Sequence, residues 1–462
     1  MNTQSKPSTL TSSHALCRVA CACGLALGCT SEAVDLGGDT LTRDLSRGAL
    51  CAESTEITQD VLVSNQEELD ALAGCEVIHG NLIVRVYADA DLTPLASLRV
   101  VDGDFGLGIP QSWPGVIGYS LSELLDEELP LLQSGWVESL DGVQALERVG
   151  GMYLRGLPDE NLKAFERLTS IGGNLQDFSR GGVILQQNYN LRDLTGLENM
   201  IGLDRLTITL SPALESLDGL RVGEQLGFIG IYGNPLLTDV SALSGVKALD
   251  ALILWETALT DLSAFASLET ISQQLSLASN AALVDASGLS SLIDVDMLLI
   301  SGNAALERLP AFDGFSAQPS IITIQGNPEL ENVTLDFASA TSDAYSVEGY
   351  PEQPEEYVGF TLGVDVIDIR ENASLETISI PNGIELAQLL LIGDNPSLSA
   401  VDLGSIQQVD QLTIDQNPNL ALVGLGELSS ANVLQITDNP QLSPAVFDDV
   451  QVFVRDVSGN AD

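Results

Sequence analysis

The run LLISGNAALERL (Leu298–Leu309) decides the fold, because the chain repeats it many times. As a template it is Leu298-x-Ile300-x-x-Asn303-x-x-Leu306. The same frame places asparagines at Asn188, Asn234, Asn280, Asn303, Asn327, Asn372, Asn395, Asn417 and Asn439. Their spacings are 46, 46, 23, 24, 45, 23, 22 and 22 residues, so the unit is about 23 residues and the first two long gaps each hide a decayed copy. In the first gap LTITLSPAL puts Ser211 at the asparagine position; in the second, ALILWETAL offers Glu256 or Thr257. A period of this size means a solenoid whose repeats stack and bury one continuous core.

The physics of the unit points to a parallel β-solenoid. Alternation at Leu298 and Ile300, or at Leu412 and Ile414, turns two side chains inward from one short strand. Asparagine tolerates left-handed backbone and bonds to the chain through its own amide, so it is expected at the corner after the strand. One amide per turn predicts a ladder that satisfies polar atoms inside the coil. Pro235, Pro328, Pro396, Pro418 and Pro440 follow the asparagine, where a fixed φ costs no sheet donor. The expectation is a mainly β, right-handed β-helix of about 13–14 turns, roughly 65 Å long at ~4.8 Å per turn.

Outward from the repeats, residues 1–28 read as an export signal, with Lys6 and Arg18 supplying positive charge ahead of an apolar Val19–Gly28. Ala26-Leu27-Gly28-Cys29 resembles the bacterial lipobox, although Ala26 and Leu27 stand where that pattern has Leu and a small residue. The resemblance implies lipidation at Cys29 and, with no Asp after it, outer-membrane or cell-surface placement; the alternative is a plain cleaved signal. Residues 29–50 read as a tether and 51–462 as the solenoid, with an N-terminal cap over 51–79. Cys51 and Cys75 are the only cysteines beyond Cys29, and export into an oxidising compartment predicts a disulfide between them. Val61–Val63 suits a strand, and Ser64 or Asn65 suits the cap of a short helix through Leu72.

From Cys75 the motifs become specific: Cys75-x-x-Ile78-x-Gly80-Asn81-Leu82-x-Val84, then Leu92-x-x-Leu95-x-x-Leu98-x-x-Val101-x-Gly103. With SLDGVQALERVGG (Ser139–Gly151) and DLTGLENMIGL (Asp193–Leu203), they resemble the receptor L-domain, a relative of leucine-rich repeats. The resemblance implies a non-enzymatic surface protein that binds protein or glycan ligands through its walls and loops.

Two long insertions interrupt the period, 109–136 and 336–359. They carry Trp113, Trp136, Tyr345, Tyr350 and Tyr357, aromatics among polar residues of the kind recognition loops use. Trp255 stands where the repeat decays, and completes the candidate ligand-binding set. Loops that merely cover a wall explain the same pattern.

Eighteen basic residues against 65 acidic ones give a formal charge of −47. Such a chain repels nucleic acid and anionic lipid, so membrane contact is expected through the lipid anchor alone. The acid serves solubility first; calcium bridging between loops is the one cofactor it leaves open. His79 is the only histidine beyond the leader, with no nucleophile motif beside it, and no phosphate-binding glycine loop is present. A carbohydrate-active enzyme on a parallel β-helix and a passive envelope protein are the rival readings.

Overall fold

The computed structural model describes residues 50–85, 90–108, 137, 139–172, 182–337 and 364–461. The leader, Cys29, Trp113, Trp136, Tyr345, Tyr350 and Tyr357 lie outside the described residues.

One sheet of 19 strands runs along the chain from Glu56 to Ser458, and all its pairings are parallel. Three rungs are each made of two short strands: Glu56–Ile57 with Val61–Val63, Val77–Ile78 with Leu82–Val84, and Ser170–Ile171 with Gly182–Gln186. Nineteen strands therefore make sixteen rungs, or about 15 turns, a rod of roughly 70 Å at the usual strand spacing. Two rungs beyond the repeat count account for the excess over 13–14. Glu56–Val63 lies inside the region expected to be only a cap. The last rung, Gln451–Ser458, escapes the template because Arg455 stands opposite Leu434.

The register stacks like on like. Leu275 pairs with Leu298 and Leu298 with Ile322, while Leu277 pairs with Ile300 and Ile300 with Ile324, all fully buried. Each such side chain contributes about 2 kcal/mol of burial, and one pair is added at each turn. The hydrophobic core is thus a column along the axis.

The asparagines make the expected ladder. Asn303 Oδ1 accepts the backbone N–H of Asn280 at 3.0 Å. Its Nδ2 donates back to the carbonyl of Leu277 at 3.0 Å and forward to Asn327 Oδ1 at 3.0 Å. The same backbone bond recurs without a gap from Thr257 through Asn280, Asn303, Asn327, Asn372, Asn395, Asn417 and Asn439 to Asn460. A shorter run links Asn188, Ser211 and Asn234. The two decayed copies are therefore working rungs. Ser211 Oγ accepts from Asn188, and Thr257, not Glu256, is in register with Asn234 and donates to Asn280 Oδ1 at 2.7 Å.

One expectation about the corner is corrected. The left-handed residue is the one before the ladder position: Gln187, Leu210, Glu256, Ser279, Glu371, Asp394, Gln416 and Asp438 all have φ between 51° and 60°. Gly233, Gly302, Gly326 and Gly459 occupy the same place elsewhere. The asparagine itself is tied inside by its amide, so the reversal falls on its neighbour. A left-handed non-glycine residue costs about 1 kcal/mol, which two buried aliphatics per rung outweigh.

The stretch after each ladder residue forms the opposite wall. In several turns it is a short 3-10 helix, such as Ser241–Leu243, Ser263–Phe265 and Ser287–Leu289. In later turns the same place holds a second parallel sheet of Asn332–Asp336, Thr377–Asn382, Ala400–Asp402 and Leu422–Gly424. Asp336 thus belongs to a strand, and Phe337 is buried 5.3 Å from Phe315, so both expected insertion residues are part of the wall. The 3-10 turns also use acid: Asp239, Asp261 and Asp285 each accept the backbone N–H two residues on. Bonds from Ser263 and Ser287 hold the Asp261 and Asp285 carboxyls below the usual range.

At the N-terminal end Cys51 and Cys75 are joined by a disulfide, their Cα atoms 5.2 Å apart. The helix there is Gln66–Asp70, capped by Asn65 Oδ1 on the N–H of Glu68, while Glu68 reaches back to the N–H of Ser64. It stops at Ala71, short of Leu72. Among the described residues no helix is long and apolar enough to cross a membrane.

Candidate recognition face

Each rung of the long sheet sends two side chains in and three out. Inward residues are monotonous: Leu206 and Ile208, Ile229 and Ile231, Leu252 and Leu254, Leu275 and Leu277. Outward residues change at every step. In register they read Arg205, Thr207, Thr209; Phe228, Gly230, Tyr232; Ala251, Ile253, Trp255; then Gln274, Ser276, Ala278. Stacking dictates the first set and leaves the second free.

The apolar part of this outer face centres on the strands Gln225–Asn234 and Ala248–Thr257. The Arg205 guanidinium lies 4.6 Å from the Phe228 ring centroid, a cation–π contact. The Tyr232 and Trp255 rings meet edge to face, 6.4 Å apart and 89° between planes. Gly230 is required between Phe228 and Tyr232, since a Cβ there would lie 2.6 Å from both rings. Arg205, Phe228 and Trp255 are half-buried, whereas Tyr232 is 1% exposed. Burial pushes the Tyr232 phenol far above its ordinary pKa, against the opposing pull of Arg205, so it stays neutral with a proton to donate. Tyr232 Oη and Trp255 Nε1 are buried without a hydrogen-bond partner. An orphaned buried donor costs about 1–3 kcal/mol.

Arg99, Arg148, Arg192, Lys247, Arg308, Arg370 and Arg455 each hold a carboxylate within 3.1 Å. Arg205, like Lys163, Arg167 and Arg221, makes no ion pair among the described residues, and its contact is with the Phe228 ring. Further along, Asp368 is clamped by Arg370 Nε and Nη2 at 2.6 and 2.7 Å and by Gln325, so its charge is internally satisfied. A shallow groove lined by Asp394, Pro396, Gln416, Pro418 and Asp438 runs over the corner of the last rungs.

Two N-terminal groups are notable. His79 Nδ1 contacts Asp102 at 2.7 Å and its Nε2 contacts Glu56 at 3.4 Å; these bonds raise its pKa on an open surface. Asp60, Asn81 and Asp104 form a second side-chain column. Asn81 donates its N–H and Nδ2 to Asp60 Oδ1, and its own Oδ1 accepts from the N–H of Asp104. Asp104 ends the column facing Gly151, its Oδ1 buried and unpaired. Burial, then Asp60, push its carboxyl up to about 6. Among the described residues no three metal-ligating side chains converge.

Of the candidate ligand-binding residues, Trp255 is therefore on the outer face, and the other five lie outside the described residues. Ser211 and Thr257, singled out for breaking the repeat, point inward and serve the ladder. Arg205, Phe228 and Tyr232 were missed. The signal for the last two was in the sequence, because alternation through Phe228-Ile229-Gly230-Ile231-Tyr232 turns both aromatics away from the core.

No family model matches the chain, and no curated protein matches it. Among solved structures, an internalin of Listeria monocytogenes is 13% identical at a TM-score of 0.28, over 80% of this chain and 86% of that one. A leucine-rich-repeat protein of Leptospira interrogans is 11% identical at a TM-score of 0.28, over 83% and 91%. A leucine-rich cell surface protein of Faecalibacterium prausnitzii is 12% identical at 0.16, over 66% and 82%. At such scores the fold stands on the chain's own strand register.

Proposed function

We propose that this protein is an exported recognition or adhesion protein that binds its partner on the outward face of the long sheet. One observation carries the reading: across the four rungs from Arg205 to Ala278 the inward positions are all Leu or Ile, whereas outside Arg, aromatic, aliphatic and small polar residues alternate without repeating. Stacking does not choose those outward side chains, of which Arg205, Phe228 and Trp255 are half-buried. A rigid column that holds varied side chains at fixed spacing is suited to binding a surface.

The finer reading is a receptor L-domain-like solenoid tethered through a lipid at Cys29 to the outer membrane or cell surface, with a protein or glycan ligand. The Cys51–Cys75 bond supports export, since such bonds persist in oxidising compartments. Trp113, Trp136, Tyr345, Tyr350 and Tyr357 add contacts in this reading, and calcium has no assigned place. A non-catalytic role is supported by His79, whose two ring nitrogens are both taken up by carboxylates.

The test is a surface-binding assay with the purified full chain on intact cells and matrix. Arg205→Glu and Phe228→Ala, both at half-buried positions of the outer face, are compared with Glu376→Ala on the opposite wall. Loss of binding confined to the first two, at unchanged thermal midpoint, is the expected result. Binding that survives both and falls only with Glu376→Ala would overturn the assignment.

A further inference from the structure

We propose that the outer face between Asp296 and Val454 docks an amphipathic α-helix that lies along the coil axis with a basic flank. The proposal rests on the recognition reading above and names the partner's chemistry on a further stretch of that face.

Two columns on this face keep different periods. The first outward side chain of each rung is apolar at Ile321, Val366, Leu389, Val433 and Val454, interrupted by Gln411 alone. The first four are half-buried and Val454 is 57% exposed, so the column is open to solvent. The residue before this column turns the corner of the sheet. There a carboxylate stands on every second turn: Asp204, Asp250, Asp296, Asp365 and Asp410. The turns between them hold Gly227, Ser272 with Gln273, Ser320, and Gln388. Neutral neighbours bond to the acids: Ser272 Oγ donates to Asp250 at 2.9 Å, and Gln388 and Asn432 donate to Asp365 and Asp410. None of these acids forms an ion pair among the described residues. Burial first, and then the Asp296 charge, hold the Asp365 carboxyl above its ordinary range.

Repulsion does not impose this alternation, because Glu371 and Asp394 sit on consecutive turns at the other edge of the same face. At ~4.8 Å per rung the apolar side chains repeat every ~5 Å and the carboxylates every ~10 Å. One calcium ion, with oxygen ligands at about 2.5 Å, does not span that gap. A heptad-patterned helix does match it. Its apolar residues recur every ~5 Å along one stripe, and a basic residue at one flanking position recurs every ~10.5 Å. Two apolar contacts per charge is the ratio that the face presents. A strand repeats each side every ~6.7 Å, and a polyproline helix shows one residue per ~9.3 Å turn on each edge, which fits the acids but not the apolar column.

The probe is a fluorescent peptide of about three heptads, with leucine at the first and fourth positions and one flanking lysine in each. A permuted peptide of equal composition carries the lysines opposite the leucines, and a proline-rich peptide carries lysine at every third residue. Any polycation is drawn to a chain of charge −47, so the comparison of spacings decides. Fluorescence anisotropy with the full chain should show saturable binding of the heptad peptide, at least about fivefold tighter than the permuted one. Asp365→Asn and Asp410→Asn should each weaken it about two- to fivefold, and Leu389→Ala about fivefold, at unchanged thermal midpoints. Asp394→Asn, at the other edge, should leave it unchanged. The proposal is overturned if the permuted peptide binds as well, if the proline-rich peptide binds tighter, or if the Asp365, Asp410 and Leu389 variants bind like the parent. Failure here with surface binding still dependent on Arg205 and Phe228 would remove the helix and leave the recognition face standing. Surface binding indifferent to those residues would instead remove the broader reading.

Discussion

Replacing Asn303 by alanine tests the ladder most directly. The side chain accepts from the N–H and Nδ2 of Asn280 and donates to the Leu277 carbonyl and Asn327 Oδ1. Asn280 Nδ2 keeps its bond to Leu254, and Asn327 Oδ1 keeps the N–H of residue 303. Two groups are newly orphaned, the Asn280 N–H and the Leu277 carbonyl, in a place of 0% exposure. At about 1–3 kcal/mol each, with a further ~1 kcal/mol for the small cavity, the loss should be about 4 kcal/mol. Asn460→Ala removes the same kind of bonds at the last rung, where the side chain is half-buried and water can replace them; its loss should be about 1 kcal/mol. Urea unfolding followed by circular dichroism compares the two, and the interior variant is expected to resolve into two phases because each repeat contacts only its neighbours. A cost for Asn303→Ala within about 1 kcal/mol of that for Asn460→Ala would refute the ladder as a source of stability.

Other outcomes follow from single groups. Asp104 has a folded pKa of about 6 against 3.8 for the free side chain. Its folded state therefore holds the proton more tightly, and stability is lost as pH rises from about 4 to 6. Asp104→Asn should stabilise by up to about 3 kcal/mol at pH 7 and by little at pH 4; an equal gain at both pH values would contradict this. The His79 pKa is raised by Asp102 first and Glu56 second. Its contribution is complete below about pH 6.5 and fades as pH rises through the folded value, and Asp102→Asn should bring the imidazole titration measured by NMR back toward the free value. Gln416, held at φ 54°, should gain about 0.5–1 kcal/mol on replacement by glycine and lose stability with valine, measured as urea midpoints.

The scaffold was legible because solenoid stacking writes the same demand into every repeat. Two aliphatics and an asparagine per turn left a trace strong enough to survive Ser211 and Thr257. Legibility failed where one rung departed from the template, at Arg455 before Asn460, and where geometry moved to a neighbour, as with the left-handed residue before each asparagine. The outer cluster was half legible. Trp255 stood out as an aromatic in a decayed copy, but Arg205, Phe228 and Tyr232 join it only through lateral register, which a linear reading does not display. The acid content was read as solvation, yet Asp239, Asp261 and Asp285 serve as turn caps in the opposite wall.

The ladder also has a direction. From Thr257 to Asn439 each backbone N–H at a ladder position is completed by the side-chain amide of the rung that follows it in the chain. During synthesis the first rungs emerge with their last N–H still open, and each arriving asparagine closes it while presenting a new one. The coil therefore grows vectorially, with its reactive end always facing the residues still to come. Asn460 closes the last of these sites among the described residues, and its loss should fray that rung while the coil behind it stays intact.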